Sequence, residues 1–277
     1  MVTDNLLIFD CDYIAHRALY SHQLLEQGTT YGFIQAVRTI TSDVFSQFTP
    51  CYCFDSPSDK LKRVEIYPNY KITRRNKRKT ESFEDREKRI MYDREVKEIR
   101  KVILPNIGYR NIFYAKGFES DDLIAKICKT NPKSNIVIAA SDKDFYQLLT
   151  PRISMFHPTT NKYYSLHDFK RDWDIEPKQW ATVKAIAGCN SDDVDGLYRV
   201  GDVTACRYLR KLTSETVTKR INEFPHLERN LRLVDLPFDG TPVPKIRKDK
   251  ASAKKWSQEM NRLGFESAVA NYPTGLK

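Results

Sequence analysis

Short apolar runs and amphipathic stretches alternate along most of the chain. Leu6-Leu7-Ile8-Phe9 is continuously apolar, which predicts a strand buried on both faces. Phe33, Ala36, Val37, Ile40, Val44 and Phe48 then recur at helical spacing and predict a helix from about Thr30 to Phe48. Cys51-Tyr52-Cys53-Phe54 reads as a second strand, Ile107 to Tyr114 as a third and Asn135 to Ala140 as a fourth. Between the second and third strands, the mixed-charge stretch Glu81–Leu104 carries sparse apolar positions at Phe83, Ile90, Met91, Ile99, Val102 and Ile103, and Pro105 is expected to end it. Leu123, Ile124, Ile127 and Cys128 form one helical face after the third strand. A helix from about Lys143 to Leu149, capped by Ser141, follows the fourth. Ile153–Phe156 and Lys162–Tyr164 read as a small hairpin around Pro158-Thr159-Thr160-Asn161. Such strand–helix alternation predicts an α/β fold with a mostly parallel central sheet and helices on both faces.

From Glu176 the pattern turns to short helices. Pro177 starts one, and Trp180, Val183, Ile186 and Ala187 give it an apolar face that ends at Gly188. A second helix, capped by Asp202, carries Val203, Cys206, Leu209 and Leu212. Beyond Leu236-Pro237 the chain becomes proline-rich and basic, with Lys245, Arg247, Lys248, Lys250, Lys254 and Lys255, and Trp256, Met260, Leu263 and Phe265 predict a last short helix.

Composition changes this picture in two ways. Lys plus Arg number 46 against 36 Asp plus Glu, with a pI near 9.2, so a polyanionic partner is favoured. Cys11, Cys51, Cys53, Cys128, Cys189 and Cys206 contain no C-x-x-C pair, which predicts reduced, buried thiols in a cytosolic protein and neither a disulfide frame nor a zinc site. The apolar run at Asn5–Phe9 is too short for a signal peptide, and no run approaches the ~20 residues of a membrane span.

The candidate chemistry lies where strands end. Asp10 closes the first strand, with Asp12 two residues on, and Asp55 closes the second. Glu119, Asp121 and Asp122 fall where the third strand hands over to its helix, and Asp142 and Asp144 follow the fourth. Carboxylates so crowded repel one another unless cations sit between them, and the carboxyl edge of an open α/β sheet is where ligands bind. Acids at a helix start also complement the helix dipole, at only ~0.3–1 kcal/mol each, so a single cluster decides little and the recurrence carries the reading. Between Lys71 and Lys79, six of nine residues are cationic, which points to phosphate contact by a basic loop leading into a protruding flap.

Taken in order, these segments resemble the 5′-nuclease superfamily, in style closest to stand-alone bacteriophage 5′-3′ exonucleases of the ribonuclease H type. The strand ending in Asp10 with Arg17 seven residues later is similar to its first motif and Phe54-Asp55 to its second. Tyr70-Lys71 with Arg74 resembles the base of its helical arch. Glu119-Ser120-Asp121-Asp122 matches E-x-D-D, and Ser141 to Phe145 matches the segment that supplies a further acid pair. Gly188 to Gly201 resembles the G-D-x-x-D-N-x-x-G-x-x-x-x-G loop of a helix–three-turn–helix, and Asn230–Leu236 the segment after it. Three positions depart from that loop: Cys189 replaces its first Asp, Asp193 its Asn, and Arg199 a common glycine.

The resemblance implies a PIN-like nuclease core over 1–175 with a basic arch at about 67–105, a helix–three-turn–helix DNA-binding region over 176–236 and a basic C-terminal extension over 237–277. It implies metal-dependent hydrolysis of phosphodiesters near 5′ ends: flap cutting, 5′-3′ exonuclease action or RNA-primer removal, in replication or repair. Two Mg²⁺ or Mn²⁺ ions are expected, with K⁺ at the helix–three-turn–helix. Asp10, Asp55, Glu119 and Asp121 would hold the first ion and Asp122, Asp142, Asp144 and Asp192 the second. Because of Cys189 the second position lacks one expected carboxylate, for which a shifted register bringing in Asp193 or Asp195 is the substitute. Lys71 and Arg74, with Arg17, would polarise the scissile phosphate. Tyr70, Arg75, Lys77, Arg78, Lys79, Gly196 and Gly201 would contact DNA. Expected partners are branched or 5′-ended DNA, an RNA–DNA hybrid and replication proteins, for a monomer in the cytoplasm (the host's, for a phage protein). The alternatives are a DNA-binding protein with a degraded nuclease site and a PIN-type ribonuclease.

Overall fold

The computed structural model describes residues 5–22, 26–42, 46–57 and 60–276. Its strands are β1 (Leu6–Asp10), β2 (Thr49–Phe54), β3 (Ile112–Tyr114), β4 (Ile136–Ala139), β5 (Ile153–His157) and β6 (Lys162–Tyr164), in spatial order β3-β2-β1-β4-β5-β6. Every neighbouring pair is parallel except the β5–β6 hairpin. Helices α1 (Cys11–Ser21) and α2 (Gly28–Ser42) follow β1. Between β2 and β3 lie α3 (Arg63–Ile66), α4 (Ile72–Thr80), α5 (Phe83–Glu98) and, after a π-helical turn at Ile99–Ile103, α6 (Leu104–Ile107). Helix α7 (Ser120–Thr130) joins β3 to β4, and α8 (Leu166–Trp173) follows the hairpin. Next come α9 (Trp180–Ala187), the short ladder β7 (Gly188–Cys189) with β8 (Val194–Asp195), α10 (Asp202–Leu209), α11 (Glu215–Asn222) and α12 (Leu227–Val234). Helices α13 (Ala253–Leu263) and α14 (Glu266–Val269) close the chain.

Strand residues alternate between two helical layers. Leu6, Ile8, Cys51, Cys53, Ile136 and Ile138 pack against α7 and α9 through Leu123, Ile127, Trp180 and Val183. Leu7, Phe9, Tyr52, Phe54, Val137 and Ala139 pack against α1, α2 and the π-helical turn after α5 through Ile14, Phe33, Val37 and Ile99. With both faces covered, the register is strongly held, because a slip of one residue would exchange the two sets. Strand β1 lies between β2 and β4, and the chain crosses from one side of it to the other on passing from β3 to β4. The crevice at the carboxyl ends of β1 and β4 is therefore a topological switch point.

Several local expectations are corrected. The helix expected to reach Phe48 is described only to Ser42, and Val44 lies outside the described residues. The third strand begins at Ile112, because Pro105 sits in the first turn of α6, where its missing N–H costs nothing, and Gly108 (φ 102°) ends that helix instead. The basic stretch expected as a loop is helical as α4, and the long mixed-charge helix is divided at Glu81-Ser82, where Ser82 caps α5. No residue of α4 or α5 is buried, but the second half of α5 is held to the core: Tyr92 and Val96 pack against the Phe9 and Phe54 layer, and Glu95 accepts from the Thr30 N–H and hydroxyl at 2.6 and 2.8 Å. Asp142, not Ser141, caps the 3₁₀ turn Lys143–Leu148, and Gly201, not Asp202, is the N-cap of α10. The C-terminal segment is more than a basic surface: Trp256 and Met260 are fully buried in the Phe9 and Phe54 layer. Asn111 exchanges two hydrogen bonds with the Arg247 backbone, of 2.9 and 2.7 Å, and so ties the segment beside β3.

Candidate metal centre

Because β1, β2 and β4 run parallel, their terminal acids emerge on one edge, and the start of α7 delivers Glu119 and Asp121 there. Ser120 at the N-terminus of α7 stitches the group together. Its hydroxyl donates to Asp10 Oδ1 at 3.2 Å and its N–H to Asp55 Oδ1 at 2.7 Å. The Asp55 N–H in turn donates to Asp12 Oδ2 at 2.7 Å. Asp10, Asp55, Glu119 and Asp142, distant in sequence, thus converge on one crevice.

The electrostatics of the crevice are unfavourable without a cation. Burial, then the charges of Asp55 and Asp142, push Asp10 up to about 7. Burial followed by Asp55 holds Asp12 well above the carboxylate range. Burial and Glu119 raise Asp55, and burial with Asp10, Asp142 and Asp55 raises Asp121 strongly. Burial and then Asp142 bring Asp144 to about 6, against the opposing pull of Lys184. Glu119 behaves oppositely. Burial would raise it, but Lys71 and Arg63 outweigh burial and hold it at about 2.

The second group of candidate donors is Asp144, Cys189 and Asp192, whose ligand atoms lie within 4.8 Å of one another. Lys184 Nζ pairs with Asp144 Oδ1 at 3.3 Å. The Cys189 thiol is 3.5 Å from Asp192 Oδ2 and 3.1 Å from Ser191 Oγ. Two glycines hold this corner. Gly188 (φ 82°) and Gly196 cross so closely that a Cβ on Gly196 would lie 2.1 Å from the Ala187 carbonyl oxygen. Gly196 therefore serves a backbone crossing, whereas Gly201 is exposed with open space beside it at the start of α10.

The donor chemistry fits divalent cations: Asp10, Asp55 and Asp121 line the crevice with carboxylate oxygens, while among the described residues only Asp144, Cys189 and Asp192 already gather their ligand atoms within 4.8 Å of one another. Other expected residues are placed differently. Asp122 is not available to an ion, because it is fully buried and its oxygens accept from Arg63 Nη1 and Nη2 at 2.7 and 2.8 Å and from the Glu119 and Phe238 N–H groups. Tyr70 is not on a DNA-facing surface, being buried with its hydroxyl on Glu119 Oε2 at 2.8 Å. Lys71 is buried too, paired with Glu119 and 3.4 Å from Asp192, while Arg74 is largely exposed 3.9 Å from Asp192. Arg17 is exposed on α1, over the Tyr13 ring. Arg75 folds back onto the Pro68 carbonyl, and Lys77, Arg78 and Lys79 are exposed on α4. Neither proposed substitute reaches the second position. Asp193 accepts from the Thr73 N–H and hydroxyl at 3.0 and 2.5 Å, tying the loop to the start of α4, and Asp195 is exposed beside Tyr67.

Three residues of the centre were missing from the expected set. Asp12 had a sequence signal in its spacing from Asp10, and Lys184 in being a lone cation on the apolar α9. Arg63 had none, since its importance comes from partners far along the chain.

The family profile for a 5′-3′ exonuclease N-terminal, resolvase-like domain matches residues 5–174. The chain belongs to that family. It is 33% identical over 115 residues to a thermostable DNA polymerase I of Thermus thermophilus, covering 41% of this chain and 13% of that protein. A 5′-3′ exonuclease of Buchnera aphidicola (subsp. Schizaphis graminum) is 24% identical over 218 residues, covering 77% of this chain and 70% of the relative. The chain thus spans a small part of the polymerase relatives and about two thirds of the stand-alone one. Among solved structures, the T5 5′-exonuclease with bound divalent metal ions (zinc) superposes with a TM-score of 0.71 at 23% identity, covering 84% of this chain and 90% of that one. Flap endonuclease-1 from Methanococcus jannaschii gives a TM-score of 0.58 at 19% identity, with coverage of 99% and 91%. At those identities the likeness is one of fold. No described helix is long and apolar enough to cross a membrane.

Proposed function

We propose that the chain is a divalent-metal-dependent 5′-nuclease that hydrolyses DNA phosphodiesters near 5′ ends. The observation that carries this is the convergence of Asp10, Asp55, Asp121 and Asp142 in one crevice where each of the first three is held above its ordinary acidity by burial and its neighbours. Family membership supports the reaction type. Bound Mg²⁺ or Mn²⁺ would supply Lewis acidity for an in-line attack by water on phosphorus. Asp10, Asp55 and Asp121 would hold one ion, and Asp144 and Asp192, with Asp142 at the rim, the other.

The remaining parts follow from the chain's own groups. Lys71 is buried at the base of α4, its ammonium set by Glu119 and Asp192. There it orients a non-bridging phosphate oxygen, with Arg74 as the more exposed partner. The cations of α4 track a 5′ single strand, and the Gly201 start of α10 offers backbone N–H groups to a duplex phosphate. Contacts of this kind read structure more than sequence and depend strongly on salt. K⁺ near Gly188–Gly201, an RNA–DNA hybrid as second substrate, work beside replication proteins and a cytoplasmic location complete the proposal.

A 5′-labelled DNA flap and its RNA counterpart, each incubated with Mg²⁺ and with EDTA, test it. Mg²⁺-dependent release of 5′ products supports the assignment. Duplex binding with no cleavage in Mg²⁺ or Mn²⁺ would instead identify a binding protein with an idle site, and preference for the RNA strand a ribonuclease.

A further inference from the structure

We propose that Cys189 makes the second cation position a mixed carboxylate–thiolate site that selects borderline divalent cations, of the zinc and cobalt kind, over Mg²⁺. The inference rests on the reading that Asp144 and Asp192 face a bound cation. Bonds of ~2.0–2.3 Å to a single ion place its ligand atoms at most about 4.6 Å apart. The Cys189 sulfur and the two carboxylates already lie within 4.8 Å of one another, so small side-chain rotations close the set.

The sulfur is aimed there by the backbone. Cys189 is paired with Val194 in the β7–β8 ladder, and the Gly188–Gly196 crossing holds that ladder against the end of α9. The side chain is buried, with Asp192 and Ser191 as its polar neighbours. Among the described residues, Asp144, Cys189 and Asp192 are the one group of His, Cys, Asp or Glu side chains whose ligand atoms are gathered this closely. The cations facing the cluster are accounted for. Lys184 of α9 approaches Asp144, while Lys71 and Arg74 from the base of α4 approach Asp192. The charge of Lys184 also reaches the Cys189 sulfur.

Donor chemistry decides the preference. Mg²⁺ takes oxygen ligands in near-ideal octahedral geometry and keeps its waters, whereas thiolates favour zinc-like ions. On binding, the Cys189 thiol gives up its proton to solvent and the sulfur forms one bond to the ion. The first position, lined by Asp10, Asp55 and Asp121, is all oxygen. The two positions therefore differ in metal preference, and the Cys189 departure is a change of selectivity, not a loss of the site.

The metal-free full chain is titrated with Co²⁺ and followed by absorption and calorimetry. The expected result is a near-ultraviolet sulfur-to-cobalt charge-transfer band that persists in excess Mg²⁺ and is absent from Cys189→Asp and Cys189→Ser. The preference for Co²⁺ over Mg²⁺ should fall at least ~10-fold in Cys189→Asp, the lower end of what even an outer-shell change costs. Zinc-edge X-ray absorption of the unmutated protein gives a readout that needs no variant, with a sulfur neighbour expected. Tight Co²⁺ and Zn²⁺ binding with only oxygen or nitrogen neighbours overturns the selectivity while leaving the cation site standing. No Co²⁺, Zn²⁺ or Mg²⁺ binding at all overturns both.

Discussion

The guanidinium of Arg63 grips Asp122 through two hydrogen bonds of 2.7 and 2.8 Å, and its Nη1 also lies 3.0 Å from Glu119. Fifty-nine residues separate Arg63 from Asp122, and both are buried. This pair connects α3 to the start of α7, and the Arg63 Nε–H donates to the Leu233 carbonyl at 2.8 Å, reaching α12 as well. One acid of the E-x-D-D cluster is thereby a structural tie.

Asp122→Ala should therefore destabilise the metal-free protein by about 3–5 kcal/mol, the usual cost of stranding one partner of a buried ion pair. Asp142→Asn, at an exposed position, should leave stability nearly unchanged. Denaturant unfolding of both variants checks this. Equal stabilities would make Asp122 a candidate ligand again.

Asp142→Asn should abolish cleavage and spare DNA affinity, because it removes charge beside the proposed ion but no phosphate contact. Parallel measurements of flap cleavage and of binding by anisotropy make the comparison. Cleavage at the unmutated rate would take Asp142 out of the centre.

Lys71→Ala should slow a single turnover roughly 10²–10³-fold, the scale of losing one preorganised charge at the reacting group. Lys71 also neutralises Glu119, so Lys71→Arg should recover part of the rate if charge is what counts. Rapid-quench rates under enzyme excess decide the matter, and an unchanged rate in Lys71→Ala would reduce Lys71 to a structural counter-ion.

The crowded acids give the metal-free protein a distinctive pH dependence. Asp10 titrates at about 7 and Asp144 at about 6 in the folded chain, against 3.8 ordinarily, chiefly through burial. Between the unfolded and folded values the folded state holds more protons, so stability must fall as pH rises through that window. Melting temperatures without metal should decrease from pH 5 to pH 8 (about 4 to about 7 being the titrating range). Saturating Mn²⁺ should stabilise most at the high end, where the carboxylates are ionised. A metal-free melting temperature that climbs over this range would contradict the assignment.

Removing Lys77 or Lys79 from α4 should weaken binding of 5′-flap DNA uniformly across sequences. For every phosphate that a lysine no longer neutralises, the salt slope of log affinity should shrink by ~0.7 on single strand or ~0.9 on duplex. Titrations at several salt concentrations give the slope directly. No change in slope would place the helix off the path of the strand.

Much of this was written locally. The continuous apolar runs at β1, β2 and β4 reveal strands covered on both faces, and the acid after each is fixed in place by strand direction alone. The burial of the cysteines likewise follows from composition, all six being buried in the fold. What local pattern could not reveal was which oxygens remain free for an ion. Asp121 and Asp122 are adjacent in sequence, yet one turns into the crevice and the other into Arg63. Tyr70 and Lys71 read as surface groups until Glu119 draws both inside. The C-terminal helix read as a basic appendage until Trp256 filled the second layer. In each instance the side chain's own neighbours along the chain are silent, because burial of a charge depends on a partner brought from far away, and only the folded chain makes that pairing. The sequence by itself determined the sheet, its edge and the acids that gather there; the tertiary structure decided which of them stay open to a cation and which are spent holding the molecule together.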